Sequence, residues 1–165
     1  MRRIVSDTGP LLHLHEAACL ALLEHAGTVA VPTAVDSAMV QHVREWHTRT
    51  PPWITVTAVM APYDRQATGW QQSGLLEMGE AEAIALALQL RATWLLTDDT
   101  AARVFATALG FEVHGSLGIV LWAAARGHLS REDSATALNR LAHSSLWIST
   151  RVLAEARVAL DRLYP

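Results

Sequence analysis

The sequence predicts an α/β fold, a sandwich around a parallel sheet. Short apolar runs that read as strands alternate with helical stretches. Two of those runs end directly in acid, at Asp7 and at Asp98-Asp99, with a helix starting at once afterwards. The chain has 165 residues, 51% of them hydrophobic, which suits one substantial core and one domain over 1–165.

Ile4 and Val5 open the first strand, which stops at Asp7. Pro10 suits the start of a helix, where its missing N–H has no partner to lose. Leu11, Leu14, Ala18 and Leu22 then recur at helical spacing until Gly27. Residues 28–31 read as a second strand closed by Pro32, and a helix is expected over 33–47. Thr50-Pro51-Pro52 breaks it, and Ile54 to Val56 is a third strand. A helix fits within 61–74, although its pattern is weak. After Gly79, Ala81, Ile84, Ala85 and Leu88 form a one-sided apolar stripe. Residues 92–96 are a strand, a helix runs from Asp99 or Thr100 to Gly110, and 111–114 is a last short strand. Helices follow over 117–126, 130–142 and 150–163, with Ser130 and Ser149 or Thr150 as caps and an extended piece at Leu146-Trp147-Ile148.

Composition excludes several chemistries. There is no lysine, which removes Schiff-base catalysis and the phosphate-loop lysine together. Cys19 is the only cysteine, so no internal disulfide forms, and its apolar surroundings make it a buried small side chain. The eight histidines are scattered, and none stands at a zinc spacing with cysteine. Gly115-Ser116-Leu117-Gly118 lacks the pattern of a nucleophile elbow. The net charge of -3 does not mark a nucleic-acid binder by itself, although thirteen arginines leave room for a local phosphate-binding patch. The start Met-Arg-Arg is soon followed by an acid and a Gly-Pro turn, unlike a signal peptide, and no apolar run is long enough to span a membrane. A cytoplasmic protein is expected. Of the six tryptophans, Trp94 and Trp122 fall in core elements. Trp46, Trp53 and Trp70 fall in the irregular middle, where with Arg44, Arg49 and Arg65 they are candidates for a partner or phosphate surface.

The function is carried by four acidic segments, Ser6-Asp7-Thr8-Gly9-Pro10, Asp36, Gly79-Glu80-Ala81-Glu82-Ala83 and Thr97-Asp98-Asp99. Each has a local explanation. Asp7, Asp98 and Asp99 precede helices and can cap them, and Glu80 and Glu82 lie in a first turn, where negative charge is favourable. Their coincidence at strand ends points further, because in a parallel sheet the functional crevice lies beyond those ends. Carboxylates gathered there repel one another unless a cation intervenes, and oxygen-only ligands suit Mg²⁺ or Mn²⁺.

These segments, with Val31-Pro32-Thr33-Ala34-Val35, Ala102-Arg103 and Gly115-Ser116-Leu117-Gly118, resemble the PIN-domain nucleases, the fold of the toxin half of many toxin–antitoxin pairs. The likeness covers nearly the whole chain. It implies a three-layer α/β/α sandwich and an Mg²⁺- or Mn²⁺-dependent endoribonuclease. In it Asp7, Glu82 and Asp99 hold the metal with Asp98 assisting, and Thr8, Asp36, Thr97 and Ser116 are possible supports. RNA is the implied substrate, with a cognate antitoxin and a homodimer as possible partners. One position departs from the pattern. The family usually has a glutamate three residues after the valine of Pro-x-x-Val, and here that residue is Ala38. Asp36 comes two residues too early to replace it. The alternative is therefore a catalytically degenerate PIN-fold binding module.

Overall fold

The structure, a computed structural model, describes residues 1–164. The elements in order are β1 (Arg3–Ser6), α1 (Thr8–Glu16), α2 (Leu22–Ala26), β2 (Thr28–Val31), α3 (Thr33–His42), α4 (Trp46–Arg49) and β3 (Ile54–Val56). They continue as α5 (Tyr63–Gln72), α6 (Met78–Leu90), β4 (Trp94–Leu96), α7 (Thr100–Ala108), β5 (Glu112–His114), α8 (Ser116–Ala125), α9 (Arg131–Ala142) and α10 (Thr150–Leu163). No helix among the described residues is long and apolar enough to cross a membrane.

All five strands are parallel, in the order β3-β2-β1-β4-β5. Side chains alternate across a strand, and the two faces separate accordingly. Ile4, Val29, Val31, Trp94 and Leu96 join the core under α1, α3, α8, α9 and α10. Val5, Ala30 and Leu95 join a second core under α5, α6 and α7. This gives the α/β architecture the sequence predicts, a parallel sheet with helices on both faces. The central strands are dry on both faces, which explains why they read as short apolar runs and not as alternating ones, while the edge strands β3 and β5 are partly exposed.

Several elements differ from the sequence expectation. The helical unit up to Gly27 is two helices, broken at Ala18, which has φ 55. The expected helix over 33–47 stops at His42, and Glu45 turns with φ 64. That turn carries Trp46 into the core at 3% exposure, where its Nε1–H donates to Asp36 at 2.8 Å. Trp46 is thus no partner surface, and the burial of its ring accounts for the break. Trp53 and Trp70 are half-buried, Trp70 edge-on to Phe105. Helix α6 is buried on several sides, at Ala81 and from Ala83 to Ala87, so it sits between layers with no single apolar stripe. Leu146 to Ile148 pairs with no strand. Leu146 and Ile148 pack on the core while Trp147 stands outside.

Candidate active site

Strands β1 and β4 are neighbours, with Ser6 opposite Leu96, and they flank the point where the chain order reverses. The next peptide continues the ladder, because Asp7 N–H donates to Leu96 O at 2.9 Å. Asp7 and Thr97 therefore leave the sheet side by side. In parallel α/β folds this switch point is where ligands bind.

Each acid there is held by a helix start or by a neighbouring chain segment. Asp7 caps α1, one oxygen accepting from Thr8 N–H at 2.6 Å and the other from the Thr97 hydroxyl at 3.2 Å. The Thr97 hydroxyl also accepts from Asp99 N–H, and Asp99 caps α7 by accepting from Ala102 N–H at 2.8 Å. Asp98 is tied more fully. His13 Nδ1 lies 2.7 Å from its Oδ2, and Ser116 reaches it with both N–H and hydroxyl. A Cβ on Gly115 would sit 2.6 Å from Asp98 Oδ1, so a glycine is what lets β5 and α8 close on this carboxylate. Glu77 and Glu80 form a capping box at the start of α6.

Together these groups line an open cleft of about 790 Å³, with Asp7, Glu77, Glu80, Asp98 and Asp99 on one side and Ser37, Ala38, Gln41 and His42 of α3 on another. Burial pushes the Asp7 carboxyl up to about 6, with the charges of Asp98 and Asp99 adding and the bonds from Thr8 and Thr97 opposing. Burial also raises Glu80, helped by Asp99, Asp7 and Glu77. Asp98 lies below its ordinary value. Burial works against this, but the hydrogen bonds from His13 and Ser116 outweigh it.

A hard divalent cation fits this donor set. Asp7 is 8% exposed, and no arginine or histidine forms an ion pair with it or with Glu80 or Asp99 among the described residues. No cationic side chain among the described residues therefore pairs with its charge. No three acidic or histidine side chains among the described residues converge closely enough to enclose an ion alone. Mg²⁺ does not need such a cage, since it is commonly held by one or two carboxylates with water and phosphate oxygens completing the shell.

The sequence-predicted residues divide in two. Asp7, Thr8, Asp98 and Asp99 line the cleft, and Thr97 and Ser116 are buried behind it as hydrogen-bond supports. Glu82 does not line it. Its carboxylate accepts from Ala34 N–H at 3.1 Å and so holds the start of α3. Asp36 is engaged with Trp46, and Arg49 with Glu45. Residues not singled out for the site also lie on the cleft, namely Glu80, Glu77, His13 and Trp147. The pattern Glu-x-x-Glu at 77–80, a capping-box variant, is the one sequence signal that could have placed the first two.

A family model described as a PIN domain matches residues 3–162. No curated protein matches the chain.

Proposed function

The chain belongs to the PIN-domain family, a nuclease superfamily whose members generally use divalent metals and bind RNA, and from that premise we propose that it is a metal-dependent endoribonuclease. The observation that carries this reading is the buried Asp7 carboxylate, without a cationic partner, at the sheet switch point beside Glu80 and Asp99. One or two of these carboxylates would hold Mg²⁺ or Mn²⁺, with water and phosphate oxygens completing the shell; when bound, the ion supplies a water activated for attack and stabilises charge on the phosphate.

The chain's own groups have definable tasks. Thr97 orients Asp7 and steadies the backbone at Asp99 through one hydroxyl. His13 and Ser116 hold Asp98 ionised and in place, fixing α8 against the β4 end. The starts of α1, α6 and α7 all open onto the cleft at Thr8, Met78 and Thr100. Their positive dipole ends offset the clustered acids and favour an incoming phosphodiester. A toxin role in the cytoplasm, with a cognate antitoxin capping the cleft, completes the reading.

Cleavage of varied RNAs with Mg²⁺ or Mn²⁺ tests it, with Asp7→Asn as the comparison. Loss of at least about 100-fold in the variant is expected for a ligand of the ion that stabilises charge in the transition state, and equal cleavage by both proteins rules out this chemistry.

A second reading is favoured by Ala38, whose methyl lines the cleft where the family pattern has a carboxylate. On that reading the fold is retained as a binding module. Ala38→Glu separates the two. Little change means that the present acids suffice, whereas a gain of an order of magnitude or more in metal-dependent cleavage marks a degenerate natural site.

A further inference from the structure

Trp147 is 85% exposed, yet the loop that carries it is fixed on both sides. Leu146 and Ile148 pack against the core. Ser145 donates its N–H and hydroxyl to Glu16 at 2.6 and 2.9 Å, and the Ser144 hydroxyl donates to Leu141 O at 2.6 Å. Ser149 then caps α10. A large aromatic ring is therefore held in water by a backbone with little freedom to fold it away.

The ring stands between two depressions. It lines the acidic cleft and also a second groove of about 410 Å³, whose wall includes Leu117, Leu121, Ile148, Val152 and Arg103. Asp98 and Leu146 are common to both, so the groove continues the cleft. The Arg103 guanidinium donates to the carbonyls of Thr97 and Val113 and forms no ion pair among the described residues. A flat aromatic face, an apolar floor and a guanidinium without an ion pair, beside the proposed catalytic cleft, match the parts of a nucleotide.

We propose that Trp147 is a stacking platform for an unpaired base of the RNA strand, seated in this second groove next to the cleaved phosphate with Arg103 facing its backbone. The inference rests on the ribonuclease reading and assigns one residue to it: contact with Trp147 needs an unpaired base, because a base must leave its helix to stack on a side chain. Continuity with the cleft and the cationic Arg103 favour a nucleic acid over a protein segment as the occupant.

The test is the affinity of a labelled single-stranded RNA of about a dozen nucleotides (a length within the footprints of single-strand binders), measured by fluorescence anisotropy with Ca²⁺ replacing Mg²⁺ so that the strand stays whole. Trp147→Ala is expected to weaken binding roughly 5- to 100-fold, Trp147→Phe to retain most of it, and a duplex of the same sequence to bind with no dependence on residue 147. Urea unfolding should be unchanged in both variants, since the ring is exposed. Equal binding by Trp147→Ala and the natural protein overturns the proposal and leaves the ridge to a protein partner. An equal loss for strand and duplex, or no RNA binding at all, overturns it too. The nuclease reading fails separately, through unchanged metal-dependent cleavage in Asp7→Asn, a result that this binding measurement does not share.

Discussion

Glu80 and Glu82 stand two residues apart on α6 and have different neighbours. One turn of an α-helix takes about 3.6 residues, so the two carboxylates leave the axis about 200° apart. Glu80 meets the charges of Asp7, Asp99 and Glu77, while Glu82 accepts from Ala34 N–H. The difference depends on where the helix starts. A start after Gly79 places Glu82 at the third helical position, but Glu77 is the cap and Met78 the first residue, which places Glu80 there. Distinct outcomes follow for the two substitutions. Glu80→Gln should weaken Mn²⁺ binding by about tenfold or more, as expected when a group that sets metal affinity is removed. Glu82→Gln should leave that affinity within about twofold, yet lower stability by roughly 0.5–1.5 kcal/mol through a weaker bond to α3. Titration calorimetry and urea unfolding read the two effects. The reverse pattern would return Glu82 to the metal and remove Glu80 from it.

Helix ends show the same dependence on local geometry. After α1, Cys19 N–H donates to Leu14 O and Ala18 N–H to His15 O. After α6, Ala92 N–H donates to Ala87 O and Arg91 N–H to Leu88 O. Both are Schellman closures, which put one residue in the left-handed region. Ala18 and Arg91 fill that place at φ 55 and φ 50, whereas Gly110 and Gly127 fill it after α7 and α8. A side chain there costs about 1–2 kcal/mol, partly offset by the greater freedom glycine has when unfolded. Ala18→Gly and Arg91→Gly, both at exposed sites, should each stabilise the protein by about 0.5–1 kcal/mol, and Gly110→Ala should destabilise it by a similar amount. Chemical denaturation midpoints check all three, and destabilisation by both glycine substitutions would refute the strain account. These closures also explain what the sequence left unread. Gly27, Gly110, Pro32 and the pair Pro51-Pro52 are boundaries that can be seen, because glycine alone takes some backbone angles freely and proline fixes its own. The break at Ala18 carries no such mark, nor does the turn at Glu45, which burial of Trp46 imposes from a distance. Asp7 and Asp99 were readable as candidates because each ends an apolar run and begins a helix. The choice between Glu80 and Glu82 was not, because a two-residue shift in a cap changes which carboxylate faces the cleft.

At the scale of the molecule, the strand order decides whether separate acids become one site. The order places β1 beside β4 and so sets Asp7 next to Thr97 and Asp99, across 90 residues of chain. Nothing in either segment alone specifies that pairing, which follows from how the crossovers pack both sheet faces. The resulting cleft is a store of destabilising charge. Asp7 titrates at about 6 in the metal-free fold, against 3.8 for an ordinary aspartate. The folded chain then binds a proton that the unfolded chain has released. This contribution to stability is complete below about pH 4 and is lost as the pH rises through 6, a difference of roughly 2–3 kcal/mol. Asp7→Asn, which carries no charge at any pH, should therefore make the metal-free protein more stable at pH 7.5 and less dependent on pH between 4 and 7. Mn²⁺ acts on the natural protein in the opposite direction, because binding requires the ionised carboxylate. At a free ion concentration about 100 times Kd the gain is about 2.7 kcal/mol, or roughly 5–10 °C in Tm for a chain of this size. The gain should be large at pH 7.5, small at pH 5 and absent in Asp7→Asn. A thermal-shift series over pH and Mn²⁺ with both proteins reads every part of this. If the variant gained as much from Mn²⁺ as the natural protein, the ion would be bound elsewhere and Asp7 would be only a buried helix cap.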